Sequence, residues 1–387
     1  MSRRVSPVDG LFTSECARVK DEDSESGGAF NPRFVEGYPM QYATLGRTGL
    51  IVSRMALGTM TFGASRSFGL RFNVDQKGAD LLVARAMDAG VNFFDTADMY
   101  ATGQAEEILG HALGKRRKEV VISTKVAARM GYALVRAGLS YRRIIEAAEE
   151  STKRLKTDYI DLYFAHIDDR LTPFEETARA FDHLIRRGMV RYVGFSNYPA
   201  WKAALATGIL HEHDYAPFAS AQMHYCLTNR DIEHEMIPFL EQTGIGLMVW
   251  SPLSSGFLSG KYTRRDPTGG GGRRGRGSFN FPPIDLDASY DLMERIRAVA
   301  DGQGVTPAQL SLAWLLSKAV VTSAILGVTK PEQLDENLKA ADLAISGQGL
   351  EALNELTAPS PLYPNWMYAG PFDPKGYEAL FGKSRDR

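Results

Sequence analysis

An acid, a phenol, a lysine and a histidine are spaced along the first half of this chain in a way that suits proton transfer. Residues 92–100 read NFFDTADMY, so Asp95 ends an apolar run and Tyr100 follows it in a polar turn. Lys125 ends VVISTK (120–125), and His166 ends IDLYFAH (160–166). A phenol with an ordinary pKa of about 10 is a poor proton donor near neutrality unless a cation lies beside it, and a lysine ammonium is such a cation. A unit charge about 4 Å away, at an effective dielectric near 20, is worth roughly 4 kcal/mol, or about three pKa units, before the opposing desolvation of the phenolate is counted. In this reading Lys125 supplies the charge and Asp95 keeps the lysine ionised, while His166 donates a second hydrogen bond to whatever oxygen Tyr100 protonates. Taken singly, each residue also has a structural explanation: Asp95 as a helix cap, Lys125 reaching to solvent, His166 as a satisfied buried histidine.

Residues this far apart act together only if the fold converges them. After about Met40 the chain alternates short apolar, β-branched runs with amphipathic stretches of helical length. The expected strands are 55–60, 92–97, 120–125, 160–166, 191–197, 218–225, 246–253 and 323–328, eight in all. Helical stretches lie between them, such as YRRIIEAAEESTKRLK and PFEETARAFDHLIRRG, the second closing on a glycine stop signal. Near-continuous apolar strands joined by helices mean a parallel sheet covered on both faces, and eight such units point to an α/β fold of the (β/α)8 TIM-barrel type. Active sites of such barrels sit at the C-terminal ends of the strands, and the polar residues ending these runs are Asp95, Lys125, His166, Ser196-Asn197, Gln222 with Tyr225 beyond it, and Trp250-Ser251. The competing doubly wound dinucleotide fold has a literal G-x-G-x-x-G match at 270–275, but no strand precedes it and no helix follows, so TGGGGRRGRGSFN reads as a flexible loop.

Residues 1–39 are polar, contain KDEDSESGG and lack apolar periodicity, which is the composition of a disordered extension; residues 40–387 read as a single barrel domain. With 45 basic and 46 acidic residues, nothing in the charge balance points to nucleic acid or an anionic membrane. No run approaches the roughly 18 apolar residues that a membrane span needs, and no signal-type stretch opens the chain, so the expected location is cytoplasmic. Two cysteines, Cys16 and Cys226, provide neither a disulfide framework nor a metal cage. The sequence leaves a homo-oligomer open. A barrel glycosidase would need two carboxylates at the strand ends, and only Asp95 qualifies.

The chain resembles the aldo-keto reductase family from about Met40 onward. The motifs that carry the resemblance are LGTMTFG (57–63), NFFDTADMYATGQAEEILG (92–110), ISTK (122–125), DLYFAH (161–166), GFSN (194–197), WSPLSSGFLSGKY (250–262) and GVTKPEQLDEN (327–337). The resemblance implies a catalytic tetrad of Asp95, Tyr100, Lys125 and His166, and an extended nicotinamide cofactor, NADPH/NADP+ with NADH weaker. Gly58, Thr59 and Met60 would then lie with Asp95 at the cofactor, Ser196, Asn197 and Gln222 at its carboxamide, and Trp250 stacked on its nicotinamide. Ser251, Pro252, Leu253, Gly256, Leu258 and Lys261 would meet the pyrophosphate. Gly327, Thr329, Lys330, Gln333, Glu336 and Asn337 would surround the adenosine phosphate and adenine. The implied activity is the reversible, NADPH-dependent reduction of an aldehyde or ketone, with a small carbonyl compound or alcohol as substrate; the alternatives are a cofactor-binding regulatory protein resembling a potassium-channel β subunit, or an enzyme working mainly as an alcohol or sugar dehydrogenase. Phe62, Phe68, Phe72, Met99, Met130, Tyr132, Tyr225 and Trp366 are the expected pocket walls.

Overall fold

The computed structural model describes residues 40–65, 72–270, 272, 281–368 and 374–381. The expected disordered extension, most of the glycine-rich loop, Phe68 and the Phe72 side chain lie outside the described residues. Eight strands close into a barrel: Met55–Gly58 (β1), Phe93–Asp95 (β2), Val121–Val126 (β3), Ile160–Ala165 (β4), Val190–Ser196 (β5), Phe218–His224 (β6), Gly246–Trp250 (β7) and Val321–Leu326 (β8). Each strand pairs in parallel with its neighbours in sequence, and β8 returns to β1. All eight expected strands are present. They are buried almost throughout because one face of each looks into the barrel and the other lies under helices. β7 stops at Trp250, short of the expected Leu253, because Ser251 has φ of 52°, a left-handed turn that a strand does not accommodate.

The covering helices are Gln76–Asp88 (α1), Gln104–Leu113 (α2), Tyr141–Leu155 (α3), Phe174–Arg186 (α4), Ala200–Glu212 (α5), Met236–Thr243 (α6), Leu286–Gly302 (α7) and Pro307–Leu316 (α8); Pro331–Leu338 (α9), Gly347–Leu356 (α10) and Pro374–Phe381 (α11) follow β8. Their starts obey local chemistry. Asp75 caps α1 through the Gly78 amide, Ser140 caps α3 through that of Arg143, and Thr306 with Gln309 forms a reciprocal capping box on α8. In α3 the apolar face of Ile144, Ala147, Ala148 and Leu155 packs on the barrel.

A hairpin of Tyr42–Thr44 and Ile51–Ser53, too short to register as a periodic pattern, was not anticipated from the sequence. It plugs the N-terminal end of the barrel: Leu45 and Val52 join Ala56, Phe93, Leu162 and Met248 in the interior cluster. Its turn residue Gly46, with φ of 56°, approaches Ala219 and Gly246 so closely that a Cβ would lie 2.6 Å from the Ala219 carbonyl oxygen. The opposite mouth, at the C-terminal ends of the strands, is where barrels of this type build their sites.

Gly194 on β5 has a similar packing role between β4 and β6. A methyl there would meet Phe164 Cε1 at 2.5 Å and the Ser220 carbonyl oxygen closer still. Gly194→Ala is expected to lower stability by about 1 to 3 kcal/mol through overpacking, whereas Gly49→Ala, which meets nothing within 4 Å, should be close to neutral. Urea midpoints of the two variants check this, and equal midpoints would refute it.

Candidate active site

Strand register brings the polar residues to one ring. Gly58 lies opposite Asp95, Asp95 opposite Ser123, Ser196 opposite Gln222, and His224 opposite Trp250. Lys125 is paired with Phe164 on β4, and His166 is the first residue beyond that strand. The Lys125 ammonium has no exposed surface. It donates to Asp95 Oδ2 at 2.7 Å, to the Thr96 carbonyl oxygen at 2.6 Å and to the Tyr100 hydroxyl at 3.5 Å. Asp95 Oδ1 in turn accepts from Ser123 Oγ at 2.7 Å and from Gln222 Nε2 at 2.9 Å. The rings of Tyr100 and His166 meet edge to face with centroids 6.0 Å apart. The structure thus brings Asp95, Tyr100, Lys125 and His166 together.

Burial and charge compete at each of these groups. Burial works to lower the Lys125 pKa, but the charge and hydrogen bonds of Asp95 and Tyr100 together outweigh it, so the ammonium is held above its ordinary range. At Tyr100 burial raises the phenol pKa, and the opposing pull of Lys125 is too weak to reverse it. The desolvation left uncounted beside the lysine's pull in the sequence is the larger effect here, and the resting phenol is protonated. Burial, followed by repulsion from Lys125, pushes His166 down to about 3, so its ring is neutral in the physiological range.

The second ring is continuous with the first. Ser196 Oγ donates to the Gln222 carbonyl oxygen at 2.7 Å, and Asn197 Nδ2 donates to the His166 carbonyl oxygen at 3.0 Å and to Ser196 Oγ at 2.8 Å. Trp250 Nε1 donates to Asn197 Oδ1 at 3.0 Å. The indole also stacks with His224 and Phe281, at centroid distances of 4.6 and 5.7 Å. Beyond it, Ser251 Oγ accepts from the Ser255 amide, and Ser254, Ser255 and Gly256 run left-handed at φ of 49, 53 and 85°. Pro252 and Leu258 are buried, Leu253 packs on the core, and the Lys261 ammonium lies 5.2 Å from the Tyr262 ring centre.

On β1 and just after it, Gly58 and Thr59 are buried and Met60 half-buried. The Thr59 amide donates to the Asp95 carbonyl oxygen. After β8, Gly327, Thr329 and Lys330 are exposed, Gln333 Oε1 accepts from the Thr329 amide at 3.0 Å, and Asn337 is half-buried. Glu336 is engaged structurally, accepting from Gln309 at 2.9 Å and pairing with Lys339 at 3.0 Å. Among the expected pocket walls, Phe62 and Tyr225 belong to the core, Met130 is buried, Met99 is half-buried, and Tyr132 and Trp366 are exposed. Sequence reasoning missed Ser123, which shares a face of β3 with Lys125 by two-residue alternation and completes the Asp95 shell.

The fold and this polar ring define a (β/α)8 protein with its candidate site at the end of the barrel where such folds carry their chemistry. The chain belongs to the aldo/keto reductase family, whose model matches residues 54–358. It is 38% identical over 315 residues, 79% of this chain and 92% of the relative, to a probable voltage-gated potassium channel subunit beta of Arabidopsis thaliana. It is 35% identical over 330 residues, 82% of this chain and 96% of the relative, to the uncharacterized oxidoreductase YrpG of Bacillus subtilis. A putative voltage-gated potassium channel subunit beta of Schizosaccharomyces pombe is 36% identical over 333 residues, 82% of this chain and 93% of the relative. Family membership and the likeness to an oxidoreductase support oxidoreductase activity.

His166 gives a pH test of this electrostatic field. Its folded pKa of about 3 lies below the ordinary 6.5, so the stability it contributes is complete above about pH 6.5 and is lost progressively as pH falls toward 3. His166→Gln should flatten that part of the pH–stability curve. A stability difference between wild type and variant that is the same on both sides of pH 6.5 would exclude a buried neutral histidine.

Proposed function

We propose that the protein is an NADPH-dependent carbonyl reductase that converts an aldehyde or ketone to the alcohol and runs in reverse on alcohols. The observation that carries this reading is a phenol, Tyr100, 3.5 Å from an ammonium that a buried carboxylate keeps charged. A bound nicotinamide would supply the hydride for the carbonyl carbon. The chain's own residues manage the oxygen. As negative charge builds there, the Tyr100 hydroxyl gives up its proton, and the phenolate left behind is stabilised by Lys125. Neutral His166 donates a second hydrogen bond to the same oxygen. In the reverse direction the phenolate accepts the alcohol proton.

What supports a nicotinamide cofactor is the donor set at the mouth: Ser196, Asn197 and Gln222 form one hydrogen-bonded arc, and Thr59 Oγ1 and His166 Nδ1 are buried without a partner among the described residues. The likeness to proteins named potassium channel subunits favours a second reading, a cofactor-binding regulatory protein. Oxidation of NADPH with an aldehyde panel separates the two.

Tyr100→Phe keeps the ring and removes the proton. It should fold, bind NADPH and lose about 10² to 10⁴-fold in turnover. Turnover within about twofold of wild type would remove Tyr100 from the acid role.

For the 2′-phosphate the reading assigns Lys330, an exposed cation with no ion pair among the described residues, just before α9. One lysine lacks the fork of an arginine, so the preference for NADPH over NADH should be real but moderate, about ten- to a hundredfold. Lys330→Ala should weaken NADPH alone, and added salt should narrow the gap between the cofactors. Equal weakening of both cofactors would assign the phosphate to other residues.

A further inference from the structure

The turn that carries Tyr100 is strained. Ala101 and Thr102 are left-handed at φ of 46 and 57°, and Gly103 follows at 96°. Such backbone persists at non-glycine residues only where the surroundings over-determine it. Here a buried ion pair anchors each side of the turn. Asp98, ahead of Tyr100, accepts from Arg143 Nη2, with side chains 0% and 1% exposed. Glu106, in the first turn of α2, accepts from Thr124 Oγ1 at 2.5 Å and from Arg154 Nε at 2.6 Å. Arg143 and Arg154 both belong to α3, 11 residues apart, which is about three helical turns and places them on one face. Glu150 lies between them, 4.0 Å from Arg143 and 3.8 Å from Arg154. The stem of Arg154 crosses Gly103, where a Cβ would meet its Cδ at 2.8 Å.

We propose that α3 clamps the Tyr100 turn, with Asp98–Arg143 as the latch, and that Asp98 and Arg143 are positioning residues that hold the phenol beside Lys125. The clamp's catalytic consequence rests on the reductase reading above. Asp98 faces Arg143 and Arg154 from α3, Glu106 from α2 and Tyr163 from β4. Burial raises its carboxyl to about 7, against the opposing pull of Arg143. As pH falls through that value Asp98 takes up a proton, the latch loses its charge attraction and turnover falls on the acid side.

Asp98→Asn tests the latch in the full-length protein, because it keeps the shape and removes the charge. It should bind NADPH as wild type does, lower kcat about ten- to a hundredfold with little change in KM, and abolish the acid limb. Carbon-13 labelling at tyrosine Cζ, with the Tyr100 resonance assigned by Tyr100→Phe, gives a readout independent of turnover. That resonance should be sharp in wild type, move with pH across neutrality, and shift or broaden in Asp98→Asn and Arg143→Met. Arg143→Lys should restore it in part. An Asp98→Asn resonance that coincides with that of wild type above neutrality, or one that differs from it while kcat is unchanged, overturns the clamp; if Asp98→Asn does not fold, a wild-type resonance that is stationary across neutrality does so. A resonance that moves in a protein without carbonyl turnover keeps the clamp and overturns the reductase reading instead.

Discussion

An ammonium with no exposed surface is tenable only where other atoms replace its water, and at Lys125 three oxygens do so: a carboxylate of Asp95, the backbone carbonyl of Thr96 and the hydroxyl of Tyr100. The rest of the mouth is arranged around that requirement. Asp95 would itself be under-satisfied with the lysine alone, and Ser123 and Gln222 occupy its second oxygen. Removing one member of such a buried pair typically costs about 3 to 5 kcal/mol, so the site is also a structural joint between β2, β3 and β6.

The same charge explains how differently its neighbours behave. Repulsion from Lys125 adds to burial at His166, and both hold the imidazole neutral. At Tyr100 the two effects oppose each other and burial wins, so the phenol rests protonated. A resting phenol is what an acid catalyst needs. In the proposed reduction the lysine would contribute when negative charge appears on the ring oxygen, which is the point at which a fixed cation in a dry site is most effective.

Strain is concentrated on this side of the barrel. Ala101 and Thr102 follow β2, Asn197 follows β5, and Ser251, Ser254 and Ser255 follow β7, all with positive φ. At the opposite end the hairpin uses glycine where its backbone turns left-handed, and Lys156 and Asp214, ahead of β4 and β6, are the non-glycine residues with left-handed backbone among the described helix-to-strand loops. Strained non-glycine backbone needs rigid neighbours, and the parallel strands with the ion pairs of α3 provide them.

By itself the sequence determined the architecture, because a strand buried on both faces must be apolar along its length and eight such runs are legible one at a time. It also determined which polar residues end those runs, and Asp95, Lys125 and His166 were readable for that reason. Tertiary structure alone decided what these residues touch. Ser123 entered the Asp95 shell through register, and Glu336 was taken up by Gln309 and Lys339. Tyr225 went into the core, and Arg143 reached Asp98 across 45 positions of chain. Hydrophobic periodicity reports how each element faces the core, whereas an ion pair or a pKa depends on distances and burial between elements, which exist only once the barrel has closed.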